Sequence, residues 1–221
     1  MGDPVVRKAK PHQQYHLENG DKVVGVTTAL NVISKGALPA WANKIGLQGI
    51  KMHEYVDDLA DVGTCAHYLI QCHLTGETPD VQDYTPRQVD RAENAVISFH
   101  EWARDKVFDT HYSEEQLVSE KHKYGGTVDW FGEIGGRAVL IDIKTGKAIY
   151  DDHLYQVAAY AQLVIEQDWQ IDEVRILQVG RDESEGFSEK MIPIGAILPY
   201  FNVFLSALNL YTAIRVTKKG A

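Results

Sequence analysis

Residues 127–146 read TVDWFGEIGGRAVLIDIKTG, and the way the two halves of this stretch pair decides the fold. Gly135-Gly136 suits the two central positions of a type I′ or II′ turn between β-strands. Counting outward from that turn puts Asp129 opposite Asp142 and Thr127 opposite Lys144. Side chains alternate faces with a period of two. One face then carries Val128, Trp130, Ile134, Val139, Ile141 and Ile143, and the other Asp129, Phe131, Leu140, Asp142 and Lys144. Directly opposed side chains lie ~5 Å apart, where like charges repel. Exposure, a shared proton or a bound cation would relieve the repulsion. Phe131 and Leu140 on the same face argue against exposure, and a hard divalent ion such as Mg²⁺ or Mn²⁺ favours such oxygen ligands. Lys144, one pleat beyond Asp142, would reach a metal-bound water or a phosphate oxygen. The competing reading is a solvated edge hairpin with Asp142 and Lys144 as a surface ion pair.

Outward from this hairpin the texture changes in both directions. Residues 14–26 read as a small hairpin around Asn19-Gly20. Residues 26–76 read as helices broken at Gly36, Pro39 and Gly76. TPRQVDRAENAVISFHEWARDKV is an amphipathic helix with Val89, Ala92, Val96, Phe99 and Trp102 on one face. EQLVSE is strand-like, HLYQVAAYAQLVIEQ helical, DEVRILQVG a strand and FSEKMIPI a further strand. Three antiparallel strands, a helical crossover and another strand predict an α/β fold with a mixed central sheet flanked by helices. The expected organisation is one domain over 1–221, mainly helical over about 14–110 and sheet-containing over about 111–221.

The chain has 221 residues, 44% hydrophobic and 24% charged, with net charge −9 and a pI near 5.4. That balance disfavours a charge-driven nucleic-acid coat protein, but an enzyme can bring positive field through bound metal and local basic patches. Cys65 and Cys72 are spaced for neither zinc nor an iron–sulfur cluster and read as reduced thiols. The N-terminal MGDPVVRKAKPHQQYH has no apolar core of a signal peptide. Residues 191–214 carry no charge, yet Pro193, Pro199, Asn202 and Asn209 make a poor membrane span; a buried strand and a buried C-terminal helix starting near Pro199 are expected.

GTCAH (63–67), GGTVD (125–129), DIKTG (142–146) and QVAAY (156–160) follow one another in that order. They resemble the four motifs of the PD-(D/E)XK nuclease superfamily, in particular its RecB-like branch of phage exonucleases, Cas4 and the mitochondrial genome maintenance exonuclease. Gly63 and His67 match the first motif, Gly126 and Asp129 the second, Asp142 and Lys144 the third, Gln156 and Tyr160 the fourth. VGVTTALNVISKGALPAWA resembles the branch's N-terminal Ser-Val-Thr segment followed by Leu-x-x-Trp, here Leu38 and Trp41, with Gly25 where serine is common. The resemblance implies a restriction-endonuclease-like core with an N-terminal helical elaboration. It implies a DNA exonuclease dependent on Mg²⁺ or Mn²⁺ that leaves 5′-phosphates. His67, Asp129, Asp142 and the carbonyl of Ile143 would bind the metal, Lys144 would orient or activate water, and Gln156 and Tyr160 would contact phosphate or support Lys144. An upstream glutamate found in parts of the superfamily would be Glu115 or Glu120. Two cysteines cannot supply the four-cysteine cluster of Cas4. The implied setting is the cytoplasm of a bacterium or phage-infected host, in DNA recombination, repair or processing. The implied partners are a DNA single strand or duplex end and a single-strand annealing or recombination protein. A structure-specific endonuclease and a non-catalytic nucleic-acid-binding protein on the same fold are the alternatives.

Some residues have plainer readings. His67, with Val62, Ala66, Leu69 and Ile70 around it, would alone be a hydrogen-bonded structural histidine. Lys121, His122 and Lys123 fit a DNA backbone contact or a solvated turn. Trp41 and Tyr55 fit stacking on single-stranded bases, though a core position is the expected home of Trp41.

Overall fold

The computed structural model describes residues 14–36 and 38–219, so residues 1–13 of the stretch read for a signal peptide lie outside it. The elements in chain order are β1 (Tyr15–His16), β2 (Lys22–Gly25), α1 (Val26–Leu30), α2 (Leu38–Leu47), α3 (Met52–Thr75), α4 (Pro86–Ala103), β3 (Phe108–Ser119), β4 (Tyr124–Ile134), β5 (Arg137–Thr145), α5 (Asp151–Ile165), β6 (Glu173–Val179), β7 (Phe187–Pro193) and α6 (Leu198–Lys219). The strands form one mixed sheet of seven, ordered β1-β2-β4-β5-β6-β7, with β3 also paired to β4. This is the expected α/β architecture, a mixed sheet flanked by helices. Two apolar clusters hold it. Phe131, Leu140, Val174 and Ile176 pack under α5 and α6 on one face. Trp130, Val139, Ile141 and Leu177 pack under α3 and α4 on the other.

The central hairpin has the register predicted from Gly135-Gly136. Both glycines have positive φ (60° and 76°), as a type I′ turn demands, and the pairs run from Ile134–Arg137 to Trp130–Ile141. One facial assignment is corrected: Val128 joins the cluster of Phe131 and Leu140, not that of Trp130. The β3–β4 ladder pairs Ser113 with Trp130 and Glu115 with Val128 but skips Glu114 and Asp129 between them. Glu114 has φ 51°, and strict alternation is lost at that point.

Helix boundaries follow their local chemistry. Thr85 and Gln88 close a capping box at the start of α4, ahead of Pro86. Gly76 ends α3 in the left-handed conformation at φ 74°. Pro39 is corrected from a helix break to a first-turn residue of α2, where a missing N–H costs nothing. The charge-free stretch also differs from expectation. β7 is an outer strand paired only to β6, with Phe187 and Met191 exposed, and α6 buries only the face bearing Phe201, Phe204, Ala207 and Leu208. Position at the edge of the sheet, rather than apolarity, sets that exposure. Among the described residues no helix is long and apolar enough to cross a membrane.

Candidate active site

The site lies where β4 loses its neighbour on one side. Pairing with β2 ends at Gly125, and pairing with β5 starts at Trp130. Between them β2 and β5 leave β4 on that flank, and Asp129 stands in the fork. The Ile143 amide, which no longer meets a β4 carbonyl, donates instead to Oδ2 of Asp129 at 2.7 Å. On the opposite flank Glu114 of β3 lies level with Asp129 between the paired positions. Continuing the β4–β5 register by one step brings Asp142 level with Asp129 from the other side. Three neighbouring strands thus each contribute one acid, Glu114, Asp129 and Asp142. His67 of α3 joins them, its Nδ1 3.5 Å from Glu114 Oε1 and 3.7 Å from Asp129 Oδ2.

Burial makes these charges costly. Asp142 is 1% exposed, so the surface ion pair is ruled out as its setting. Lys144 Nζ donates to Oδ1 of Asp142 at 2.8 Å and lies 2.7 Å from Oδ2 without a well-directed hydrogen bond to it, leaving Oδ2 buried and unsatisfied. Burial pushes the Asp129 carboxyl up to about 6, Asp142 and Glu114 add to the rise, and His67 and Lys144 oppose it. Burial works against charge on Lys144, but Asp142 and Asp129 outweigh it and hold the ammonium protonated. Burial likewise opposes charge on His67, and Asp129 and Glu114 reverse the balance, raising it. Burial first, and then the two aspartates, keep the Tyr160 hydroxyl protonated.

Helices α3 and α5 bring the remaining groups in by close approach. A Cβ on Gly63 would fall 2.7 Å from Thr145 Oγ1, so glycine lets α3 bring His67 against the end of β5 without moving that threonine. A Cβ on Gly126 would fall 2.5 Å from the Tyr160 ring, so the second motif's glycine makes room for the fourth motif's tyrosine. Gln156 Nε2 donates to the Tyr160 oxygen at 2.7 Å, which leaves the phenol O–H to donate elsewhere. Beside them a cleft of about 170 Å³ is lined by Tyr15, Thr27, Thr28 and Tyr160 among others.

The structure gathers His67, Asp129, Asp142, Ile143, Lys144, Gln156 and Tyr160 around this fork. Of the glutamates ahead of the hairpin, Glu114 lies beside His67 and Asp129, and neither Glu115 nor Glu120 does. Glu115 is exposed and paired to Val128, and Glu120 is exposed, accepting from the Glu18 amide and Lys123. Counting back from the Ser119–Tyr124 pair along the strand would have found Glu114. Of the turn residues, Lys123 bonds Glu120, and His122 packs on Phe201 of α6.

The donor set fits a hard divalent ion. Ligand atoms of His67, Glu114 and Asp129 lie within 4.8 Å of one another, and the orphaned Asp142 Oδ2 offers a further buried oxygen. Carboxylates with one imidazole suit Mn²⁺ as well as Mg²⁺.

No protein-family model matches the chain, and no curated protein does. Several solved structures are similar. A phage-related exonuclease from Haemophilus somnus 129PT is 15% identical over 93% of this chain and 97% of its own, with a TM-score of 0.42. An alkaline exonuclease from Laribacter hongkongensis is 13% identical over 90% and 95%, with a TM-score of 0.39. Its complex with dAMP is 14% identical over 74% and 92%, with a TM-score of 0.36.

Proposed function

We propose that the chain is a divalent-metal-dependent deoxyribonuclease that degrades DNA from an end and leaves 5′-phosphates, in bacterial or phage DNA recombination, repair or processing. The observation that carries this reading is the row Glu114–Asp129–Asp142 across three adjacent strands, with Lys144 ion-paired to the buried Asp142. Hydrolysis of a phosphodiester needs charge stabilisation at the phosphate and a placed water; an ion held by this row, with the Lys144 ammonium, would supply both. Glu114, Asp129, Asp142 and His67, with the main chain at Ile143, would hold Mg²⁺ or Mn²⁺. Bound there, such an ion polarises a phosphate and lowers the pKa of water.

The protein's own groups do the rest. Lys144, kept as an ammonium, donates to the attacking water or to a phosphate oxygen and opposes the negative charge that builds there. In the metal-free fork Asp142 and Asp129 hold its proton on, which favours a cation over a base. Tyr160, with its oxygen already accepting from Gln156, directs its O–H to a phosphate oxygen. Attack by water in line with the P–O3′ bond forms a bond to phosphorus as that bond breaks; a proton from the water ends on the departing O3′, and the phosphate stays on O5′ of the next nucleotide as a 5′-phosphate.

Asp142→Asn and Lys144→Ala test this. Each is expected to lower cleavage of linear DNA in Mg²⁺ or Mn²⁺ by at least about 100-fold while the far-ultraviolet spectrum is unchanged. Wild-type rates in either variant would remove the centre from the reaction. Covalently closed circular DNA, which has no end, is expected to resist; its cleavage would make the enzyme an endonuclease.

A further inference from the structure

Helix α2, LPAWANKIGL, is strongly apolar, yet only Ile45 of it is buried. Leu38 and Leu47 are exposed, as are Ile50 and Val56 just beyond. Trp41 is half-buried and outside both apolar clusters, which corrects its expected core position. Its ring meets that of Tyr55 on α3 at 6.1 Å and 52°. An exposed apolar surface alone says little, but this one has two further properties.

The first is charge. From Lys22 to His53 the sequence has no aspartate or glutamate, and it has four lysines, Lys22, Lys35, Lys44 and Lys51. The whole chain has 31 acids against 22 lysines and arginines, so this segment reverses the molecule's sign locally. Acids resume at Glu54, which is ion-paired to Lys51, and at the exposed Asp57, while Asp58 and Asp61 turn to Gln88 and Arg91 of α4. Lys44, beside Trp41 on α2, has no ion-pair partner among the described residues.

The second is continuity with the acidic fork. Lys35, just ahead of α2, is bound at 2.6 Å to Asp152 in the first turn of α5, the helix that bears Gln156 and Tyr160. Tyr55 lies twelve residues before His67 on the single helix α3, about 18 Å along its axis.

We propose that α2 and the start of α3 form a platform for single-stranded DNA leading to the fork, with Trp41 and Tyr55 stacking on a base and Lys44 facing the phosphates. This rests on the deoxyribonuclease reading and adds the form of the substrate to it. Every base has a π-face, so the platform carries no sequence preference, whereas a stacked duplex end presents few free faces along its length. A second copy of the chain would suit the apolar surface but would set two lysine-rich segments against each other.

Anisotropy of a labelled oligothymidylate, measured with the full chain in chelator so that nothing is cut, tests the platform. Trp41→Leu with Tyr55→Leu is expected to weaken binding at least about tenfold, Trp41→Phe to bind within about twofold of wild type, and affinity for closed circular duplex to stay unchanged. A leucine variant with wild-type melting and wild-type oligothymidylate affinity overturns the proposal, as does a wild type that fails to bind the oligomer. So does a sedimentation mass of a dimer in wild type that falls to the monomer in the leucine variant. Wild-type digestion of DNA, read separately, decides the nuclease reading: cutting with no loss of affinity in the variant removes the platform alone, and the expected affinities without any cutting remove the nuclease alone.

Discussion

Asp129 stands between opposing influences, and their balance gives a sign that can be checked. Burial, Asp142 and Glu114 raise its folded pKa to about 6, above the ordinary ~3.9 of a free aspartate. A raised folded pKa means that Asp129 favours the fold below about pH 4, and that this contribution is lost as pH rises through about 6. Above that range the metal-free protein keeps a buried carboxylate at a cost on the order of 2–3 kcal/mol. Asp129→Asn removes the charge while its amide oxygen still accepts from the Ile143 N–H. The metal-free variant is therefore expected to be more stable than wild type at pH 7, by about 2–3 kcal/mol in urea unfolding, with the gap closing toward pH 4. A variant less stable at pH 7 would show that His67 and Lys144 more than compensate the charge. Away from the fork the sign is the ordinary one. Arg181 and Glu185 form a buried pair at 2.9 Å and 2.5 Å, and although burial raises the Glu185 pKa, Arg181 lowers it further. Its stability is present above the free-glutamate pKa and lost as pH falls through the lowered one. Glu185→Gln is expected to cost about 3 kcal/mol at pH 7, and less in acid, where the wild-type carboxyl is itself protonated.

At the scale of elements, fit between strands and helices sets what the residues can do. Gly126→Ala would put a methyl 2.5 Å from the Tyr160 ring, between β4 and α5, both of which are held by the core. Overpacking of this kind costs about 1–3 kcal/mol. Because the ring that moves is the one bonded to Gln156, activity is expected to fall further than the loss in melting temperature explains; full activity at a lowered melting temperature would separate Tyr160 from the reaction. The same elements show what sequence could reveal. The β4–β5 register was legible because a two-glycine turn admits one pairing, and that pairing put Asp129 beside Asp142. The crossover through α5 to a parallel β6 was legible from the strand–helix–strand order. Glu114 was not, since the connection between β3 and β4 has no two-glycine turn to announce where the ladder begins; only with the Ser119–Tyr124 pair in hand does the count reach Glu114. Nor was the addition of β2 to β4, a pairing of only two residues that no periodicity announces. Apolar composition misled for β7 and α6, because burial there depends on how many neighbours the sheet edge supplies.

For the molecule as a whole, folding converges acids that repel. The chain is at −9 before any site is built, and the fork then sets Glu114, Asp129 and Asp142 beside the basic groups His67 and Lys144. In the unfolded chain those carboxylates lie far apart and bind a divalent ion poorly, so an ion held by the fork stabilises the folded state alone. At 100 times its dissociation constant such an ion adds about 2.7 kcal/mol. For a domain of this size that corresponds to a rise of about 5–10 °C in melting temperature. Differential scanning calorimetry with Mg²⁺ or Mn²⁺ titrated in is expected to show this rise, growing with the logarithm of the ion concentration. Asp129→Asn, already relieved of its charge, is expected to lose most of it. Ca²⁺ and Mg²⁺ both favour oxygen ligands, so each is expected to shift wild type, whereas K⁺ at equal ionic strength is not. An equal shift with K⁺ would reduce the effect to general screening of net charge, and a shift undiminished in Asp129→Asn would place the ion away from the fork.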